Sequence, residues 1–480
     1  MAYSRDEDAQ KNWKMAGPSM GMASGSSAVM SQITPAADGL VDKQAPMFKT
    51  DWLRTLPTGN APNNVTAASL FGTFTEIALP RSAGKCTDFL VRLQSTLTLP
   101  NTDEVVIPPT PYWFDRVEVI YNGAVVEQLN NDTLFAEAAT FQSDMEFNQV
   151  APLIGMTKQT TSAGKEVATF SSYTGNGSTP VPLGLNGSLY LPIVGVLGSI
   201  QPFLNGFNGE WRLRFYWSNT ITPTVYFDAG DAPAAALAND FHTTVTSPAG
   251  SATAVGTGHR PVVTINNIEL WVKQASLDME KTRALRELHT NSTVVYRGMR
   301  RTYQTTSIPL AVSDNKDTDL VLTSLSSHAA AIYAYLTPSS VATEDVLTRF
   351  PLTKLYLKDS GSVALSPPLP AELLENYISA NATPIPSYFL NSSTFTNYVI
   401  PFASNLQTAM YGKQTGGYYF TGQEKLTYDG PSVNGTSAAA APGRYSGPQA
   451  AITGLDLVVV SYDYCEIKVT KGDMAMSTRN

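Results

Sequence analysis

Gly454-Leu455-Asp456-Leu457-Val458-Val459-Val460-Ser461-Tyr462-Asp463-Tyr464 forms the last long strand-like run of the chain, and Asn267-Ile268-Glu269-Leu270-Trp271-Val272-Lys273-Gln274-Ala275-Ser276-Leu277-Asp278 forms an earlier one. Both are β-branched and aromatic-rich, the composition of strands that pack on a core. Each closes a series of shorter strand-like segments, and the segments recur in the same order. Arg116–Tyr121 and Ala124–Glu127 flank Asn122-Gly123, the strongest short hairpin signal, and Lys354–Ala364 echoes it in the second half. A helix is expected after each hairpin, over 131–147 with Asp132 as a cap, and over 370–379. Leu189-Tyr190-Leu191-Pro192-Ile193 then matches Tyr398-Val399-Ile400-Pro401-Phe402. A chain that closes the same way twice reads as one β domain, duplicated.

Composition agrees with that reading. Hydrophobic residues make up 43% of the 480, while charged residues are only 15%, against about 25% in a typical domain. The 34 Gly and 31 Pro supply turns and interrupt helices, as in an all-β chain. Within Asp88–Leu97 the alternation puts Phe89, Val91, Leu93 and Ser95 on one face. The expected organisation is an N-terminal arm over 1–62, a first β unit over 63–278, a linker helix over 279–291 capped by Asp278, and a second β unit over 292–480. The arm either has no fold of its own or orders on a neighbouring subunit or a membrane-facing surface. Long loops rich in small residues are expected at 148–187, 220–260 and 405–450.

Several chemistries find no support. The net charge of −8 argues against general nucleic-acid binding. Residues 1–15 lack the apolar core of a secretory signal, so synthesis in the cytoplasm is expected, and no apolar run reaches 18 residues. Cys86 and Cys465 have no metal-ligand spacing and read as buried free thiols. His242, His259, His289 and His328 are scattered. Gly84-Lys85 and Gly164-Lys165 lack the rest of a phosphate loop, and no Gly-x-Ser-x-Gly elbow occurs. Eight Asn-x-Ser/Thr sequons, among them Asn176, Asn186, Asn391 and Asn434, match chance in an Asn- and Thr-rich chain. No catalytic, cofactor-binding or metal-ligating residue is therefore assigned. The concentrated basic patch is Arg297, Arg300 and Arg301, near Lys281, Arg283 and Arg286; its readings are inter-subunit salt bridges, a solvated strand edge, or contact with a minor protein or phosphate headgroups.

The ordered repeat resembles the double jelly-roll major capsid proteins of icosahedral double-stranded DNA viruses, within the lineage of large eukaryotic DNA viruses and their polinton-like and virophage relatives. The resemblance rests on Arg116–Gly123, on Ile268–Val272 with the charged helix 280–289, and on Asp456–Tyr464 followed by Ile467–Ala475. The chain departs from the family at Ile193-Val194-Gly195-Val196-Leu197-Gly198, where an aromatic, Asn-containing run is common. The resemblance implies two eight-stranded jelly-roll sandwiches and a homotrimer that forms a pseudo-hexameric block tiling a virion shell. It also implies no enzymatic activity and no cofactor. The expected partners are neighbouring trimers, minor capsid, cement and penton proteins, and an internal lipid membrane met through the arm or the barrel base. A minor capsid or penton protein fits less well, since those usually carry one jelly roll. The rival from another class is a carbohydrate-binding or carbohydrate-active protein on tandem jelly rolls.

Overall fold

A computed structural model describes residues 49–81, 84–98, 104–160, 166–174, 179–218, 225–227, 262–276, 279–308, 318–325, 328–338, 354–365, 397–404, 406–410, 416–429 and 455–478, with isolated positions such as Arg349, Leu352 and Ser379. Sixteen strands build two sandwiches in chain order. The first holds β1 (Lys49–Thr55), β2 (Phe74–Ala78), β3 (Gly84–Thr98), β4 (Phe114–Tyr121), β5 (Ala124–Asn130), β6 (Ser188–Ile193), β7 (Trp211–Trp217) and β8 (Val262–Ser276). The second holds β9 (Thr293–Ile308), β10 (Thr318–Val321), β11 (His328–Pro338), β12 (Lys354–Lys358), β13 (Leu369–Pro370), β14 (Tyr398–Pro401), β15 (Lys425–Asp429) and β16 (Leu455–Thr470). The sheets run β1-β8-β3-β6 and β2-β7-β4-β5 in the first, β9-β16-β11-β14 and β10-β15-β12-β13 in the second. Adding eight to each strand number converts one barrel into the other. Each sandwich is thus a jelly roll, and the paired long runs of the sequence, β8 and β16, occupy the same interior place in their sheets.

The cores follow from alternation. Along β3, Phe89, Val91, Leu93 and Ser95 are buried on one face, as their spacing predicts. They meet Ile77, Val117, Val119, Leu213 and Phe215 from the opposite sheet. In the second barrel Ile332, Ala334 and Leu336 of β11 meet Leu355, Leu357 and Leu426. Asn122 and Gly123 both adopt positive φ (51° and 85°), the backbone that a two-residue hairpin turn requires.

The structure corrects several expectations. The arm expected over 1–62 is not all arm. Lys49–Thr55 pairs antiparallel with β8, from Lys49↔Ser276 to Thr55↔Leu270, and is the edge strand of the first sheet. Lys49 and Arg54 among its exposed residues suit an edge, where natural sheets place charges. The helix expected over 131–147 is three pieces. An α-turn over Asn131–Phe135 is capped by Asn130 rather than Asp132, and a π-turn follows over Ala136–Thr140. A separate helix, Asp144–Ile154, then begins at a Ser143/Glu146 capping box and ends at left-handed Gly155. The loop expected over 148–187 contains the rest of that helix and a hairpin, Met156–Thr160 with Glu166–Phe170. Most of the loops at 220–260 and 405–450, most of the helix at 370–379, and Asp278 lie outside the described residues. The linker helix spans Met279–Asn291.

Candidate functional site: the seam between the barrels

The barrels join through an interior rather than a surface. The outward face of β9-β16-β11-β14 carries Met299, Tyr303, Val458, Val460, Tyr462, Tyr333, Tyr335 and Val399, which cluster with Ala136 and Phe141 of the first barrel. Residues directly opposite in adjacent strands share a face, which fixes the row Tyr303, Val460, Tyr333, Val399 across that sheet. Phe141 meets Tyr333 and Tyr462 edge-on, at 5.3 and 6.2 Å between ring centroids. At the other end of the seam, Val294, Tyr296, Cys465, Ile467 and Val469 of the second barrel belong to the core of the first.

An ionic latch lies in the middle of this apolar seam. The Arg301 side chain is fully buried, and its Nε donates to Glu137 Oε1 at 2.6 Å. Glu127, on β5, accepts the Arg301 backbone N–H at 2.8 Å through Oε1 and the Val196 N–H at 2.5 Å through Oε2. Arg301 Nη1 lies 3.7 Å from Glu127 Oε1. One guanidinium thus serves two buried carboxylates. Burial raises both carboxyls above their ordinary range, against the pull of Arg301. Removing one partner of such a set leaves an uncompensated charge and costs about 3–5 kcal/mol.

Further contacts cross the seam or brace it. Asp132 Oδ1 accepts from Tyr112 at 2.8 Å and from Arg349, and its Oδ2 accepts from Tyr335 of β11 at 2.8 Å. The Arg349 guanidinium lies over the Tyr335 ring, 4.4 Å from its centroid. On the linker helix, His289 Nδ1 lies 2.8 Å from the Leu285 carbonyl and so carries the proton there, which leaves Nε2 to accept from Tyr296 Oη at 2.7 Å. Burial holds this imidazole below its usual range, which favours the neutral form. Helix Gly195–Ile200 packs on β9, where Ser199 Oγ accepts from Met299 N at 3.0 Å. The approach is so close that a Cβ on Gly298 would stand 2.5 Å from Ile200 Cγ2 and 2.6 Å from Ser199 Oγ. The first four residues of this helix fall in the Ile193–Gly198 stretch in which the sequence departs from the resembled family.

The basic patch does not stay together. Arg297 is half-exposed and pairs with Glu466 at 3.2 Å, and Arg300 is partly buried. Arg301 is the correction: it lies on the covered face of β9 between Met299 and Tyr303, where it latches the two barrels of its own chain instead of offering a contact to another protein. Of the histidines, His289 is buried in the linker, His328 lies 5.2 Å from the Tyr464 ring, and His242 and His259 lie outside the described residues. Cys86 and Cys465 are buried free thiols. No group of three or more His, Cys, Asp or Glu that suits a metal occurs among the described residues. Sequence reasoning missed Glu127, Glu137 and Arg349. The signal at Glu137 was its setting, a lone carboxylate within Ala136-Glu137-Ala138-Ala139.

Among the described residues the equivalent face of the first barrel is only partly covered. Across β1-β8-β3-β6 the register brings Arg54, Trp271, Leu90 and Pro192 into one row, with Trp52 opposite Lys273 and Tyr190 opposite Arg92. Trp52 is 46% exposed, whereas Tyr335 and Tyr462 on the other sheet are fully buried. Glu269 orders this face. It accepts from Arg54 at 2.5 Å, Asn267 at 2.8 Å and Trp271 Nε1 at 3.1 Å, with Arg92 3.6 Å away.

No model of a known protein family matches the chain, and no curated protein matches it in sequence. Solved structures do match. PBCV-1 VP54, fitted into a cryo-EM reconstruction of the virophage Sputnik, aligns with a TM-score of 0.57 at 13% identity, covering 91% of this chain and 98% of that one. The Faustovirus major capsid protein aligns at 0.56 and 10%, covering 89% and 91%. The cryo-EM structure of the Sputnik virophage aligns at 0.53 and 9%, covering 91% and 89%. At these identities the likeness is one of fold: the chain has the double jelly-roll architecture found in the Faustovirus major capsid protein.

Proposed function

We propose that this chain is a major capsid protein whose homotrimer forms a pseudo-hexagonal block in the shell of an icosahedral double-stranded DNA virus. One observation carries the reading: the outer face that is buried inside the chain on the second barrel is left partly exposed on the first among the described residues. A head-to-tail contact of this kind generates a ring when its rotation closes. Here the second barrel presents its sheet to the first within a chain, and the first would present its own to the second barrel of the next chain. Two barrels per chain and three chains give a six-barrel ring. The solved structures with this fold include capsid proteins, which supports the same reading. Arg297 and Arg300, which the seam does not absorb, remain the candidates for contact with a neighbouring or minor protein. An internal membrane, cement and penton partners, and a place in the virion belong to this reading as well.

Light scattering coupled to size exclusion tests it. Three copies of the 51.6 kDa chain total about 155 kDa. A particle of that mass with a hexagonal outline in negative stain supports the proposal. A monodisperse 51.6 kDa species at micromolar concentration contradicts it.

A further inference from the structure

The linker helix ends in a buried seat on the first barrel. His289, in its last turn, is 1% exposed, and its ring lies 5.4 Å from Phe203 and 5.9 Å from Tyr296 between centroids. Gly206 makes room for it, since a Cβ there would stand 2.4 Å from His289 Cδ2. The start of β3 borders the same segment, where the Cys86 N–H donates to the Pro202 carbonyl at 3.0 Å. Lys85, beside Cys86 on β3, is 6% exposed, and its Nζ has no hydrogen-bond partner among the described residues.

The hydrogen bonds of the seat run in one direction. The Phe203 N–H donates to Tyr296 Oη at 3.2 Å, Tyr296 donates to His289 Nε2, and His289 Nδ1 donates to the Leu285 carbonyl. A proton added at Nε2 would set an N–H against the Tyr296 O–H, which would lose its acceptor. It would also bury a positive charge, which is costly unless that charge is paired.

Nothing that faces these groups offers such a pairing. The titratable groups against His289 are Tyr296 from β9 and Lys85 from β3, those against Lys85 are Cys86 and His289, and the linker helix itself presents the Leu285 carbonyl. None of them is a carboxylate. Burial, and after it the Lys85 charge, holds the imidazole below 6.5 against the pull of the Leu285 carbonyl, and burial holds the Lys85 amine well below 10.5.

We propose that this seat is an acid-operated catch: a proton on His289 releases the end of the linker helix from the Pro202–Gly206 segment, and a proton on Lys85 acts in the same direction. Both groups hold folded-state values below their unfolded ones, so an opened seat binds more protons than a closed one. The stability that His289 contributes is therefore present above pH 6.5 and is lost as pH falls from 6.5 towards its folded value, with the opening equilibrium growing by at most about tenfold per pH unit. Lys85 weakens the seat in the same way from pH 10.5 downward. The proposal does not depend on the capsid reading.

Amide exchange of the full-length protein tests it, followed from pH 8 to pH 5 and corrected for the intrinsic effect of pH on exchange. Opening across 279–291 and 202–206 should grow below pH 6.5, by up to about tenfold per unit for each group, while 457–462 in the seam stays level. His289→Gln, which keeps a hydrogen-bonding amide and takes no proton, should flatten the rise. A level profile in the parent chain, or an equal rise across 457–462, would overturn the catch, and an equal rise in His289→Gln would overturn its trigger. Lys85→Met keeps the bulk and removes the charge, so it should lower opening of the seat by about tenfold or more across the range. If His289→Gln is unprotected even at pH 8, this second variant decides, and unchanged or greater opening in it would overturn the proposal.

Discussion

The two barrels share one strand plan and differ in what covers their sheets. In the second, the outer face of β9-β16-β11-β14 is lined with Tyr, Val and Met and sealed by the first barrel. In the first, the equivalent face keeps Trp52, Leu90, Tyr190 and Trp271 but surrounds them with Arg54, Arg92, Lys273 and Glu269. The difference separates two kinds of contact. A face that is always covered within the chain can be as apolar as a core, whereas one that must survive synthesis before it meets another chain needs charges around its aromatic centre. In the proposed ring Glu269 would serve that end, since it holds two arginines and an indole together on this face.

The largest effect should come from breaking the covered face. Arg301→Met leaves Glu127 and Glu137 buried with no cation and should lower unfolding stability by about 3–5 kcal/mol, read from chemical denaturation. A loss below about 1 kcal/mol would show that the latch is not what holds the barrels together. Next comes the partly exposed face. Trp52→Glu should leave the single chain folded, because the residue is half-exposed, yet weaken assembly by about 2–4 kcal/mol, the scale of an aromatic interface anchor. Unchanged assembly mass across a dilution series would remove this face from the contact.

The repeat was legible in the sequence because each member is governed by local rules. β8 and β16 are long β-branched runs, Asn122-Gly123 is a turn that only a few residue types make, and the Leu-Tyr-Leu-Pro and Tyr-Val-Ile-Pro segments fall at matching places. The latch was not legible, because its members lie 164 and 174 residues apart and each alone looks like a surface charge. Arg301 is read with Arg297 and Arg300 as one patch, although alternation along the strand sends Arg300 and Arg301 to opposite faces. β1 is read into the arm because Lys49, Thr50, Asp51 and Arg54 leave this edge strand little hydrophobic alternation. The broken helix after β5 escaped because π-turns have no strong sequence signature.

Smaller perturbations sharpen the contrast further. Gly298→Ala drives a methyl into Ile200 and Ser199 and should cost about 1–3 kcal/mol, whereas a substitution of similar size on the partly exposed face should cost little. The mildest lever is pH. Glu127 and Glu137 have folded-state values raised above 4.5, so the folded chain binds more protons than the unfolded one above that pH. Their contribution to stability is therefore fully present below pH 4.5 and is lost as pH rises through the raised values, with a slope of at most about 1.4 kcal/mol per pH unit for each group. Denaturation midpoints of Glu137→Gln and the parent chain, followed from pH 4.5 upward, should show the flatter dependence in the variant.

The central claim is that both faces end up covered, one by the chain itself and the other by its neighbour. Hydroxyl-radical footprinting of the native protein at micromolar concentration reads this directly. If the account holds, Trp52 and Trp271 will oxidise as slowly as Tyr335 and Tyr462, and far more slowly than the freely exposed Met279 of the linker helix. Oxidation of Trp52 at a rate set by its exposure in the single chain would contradict it.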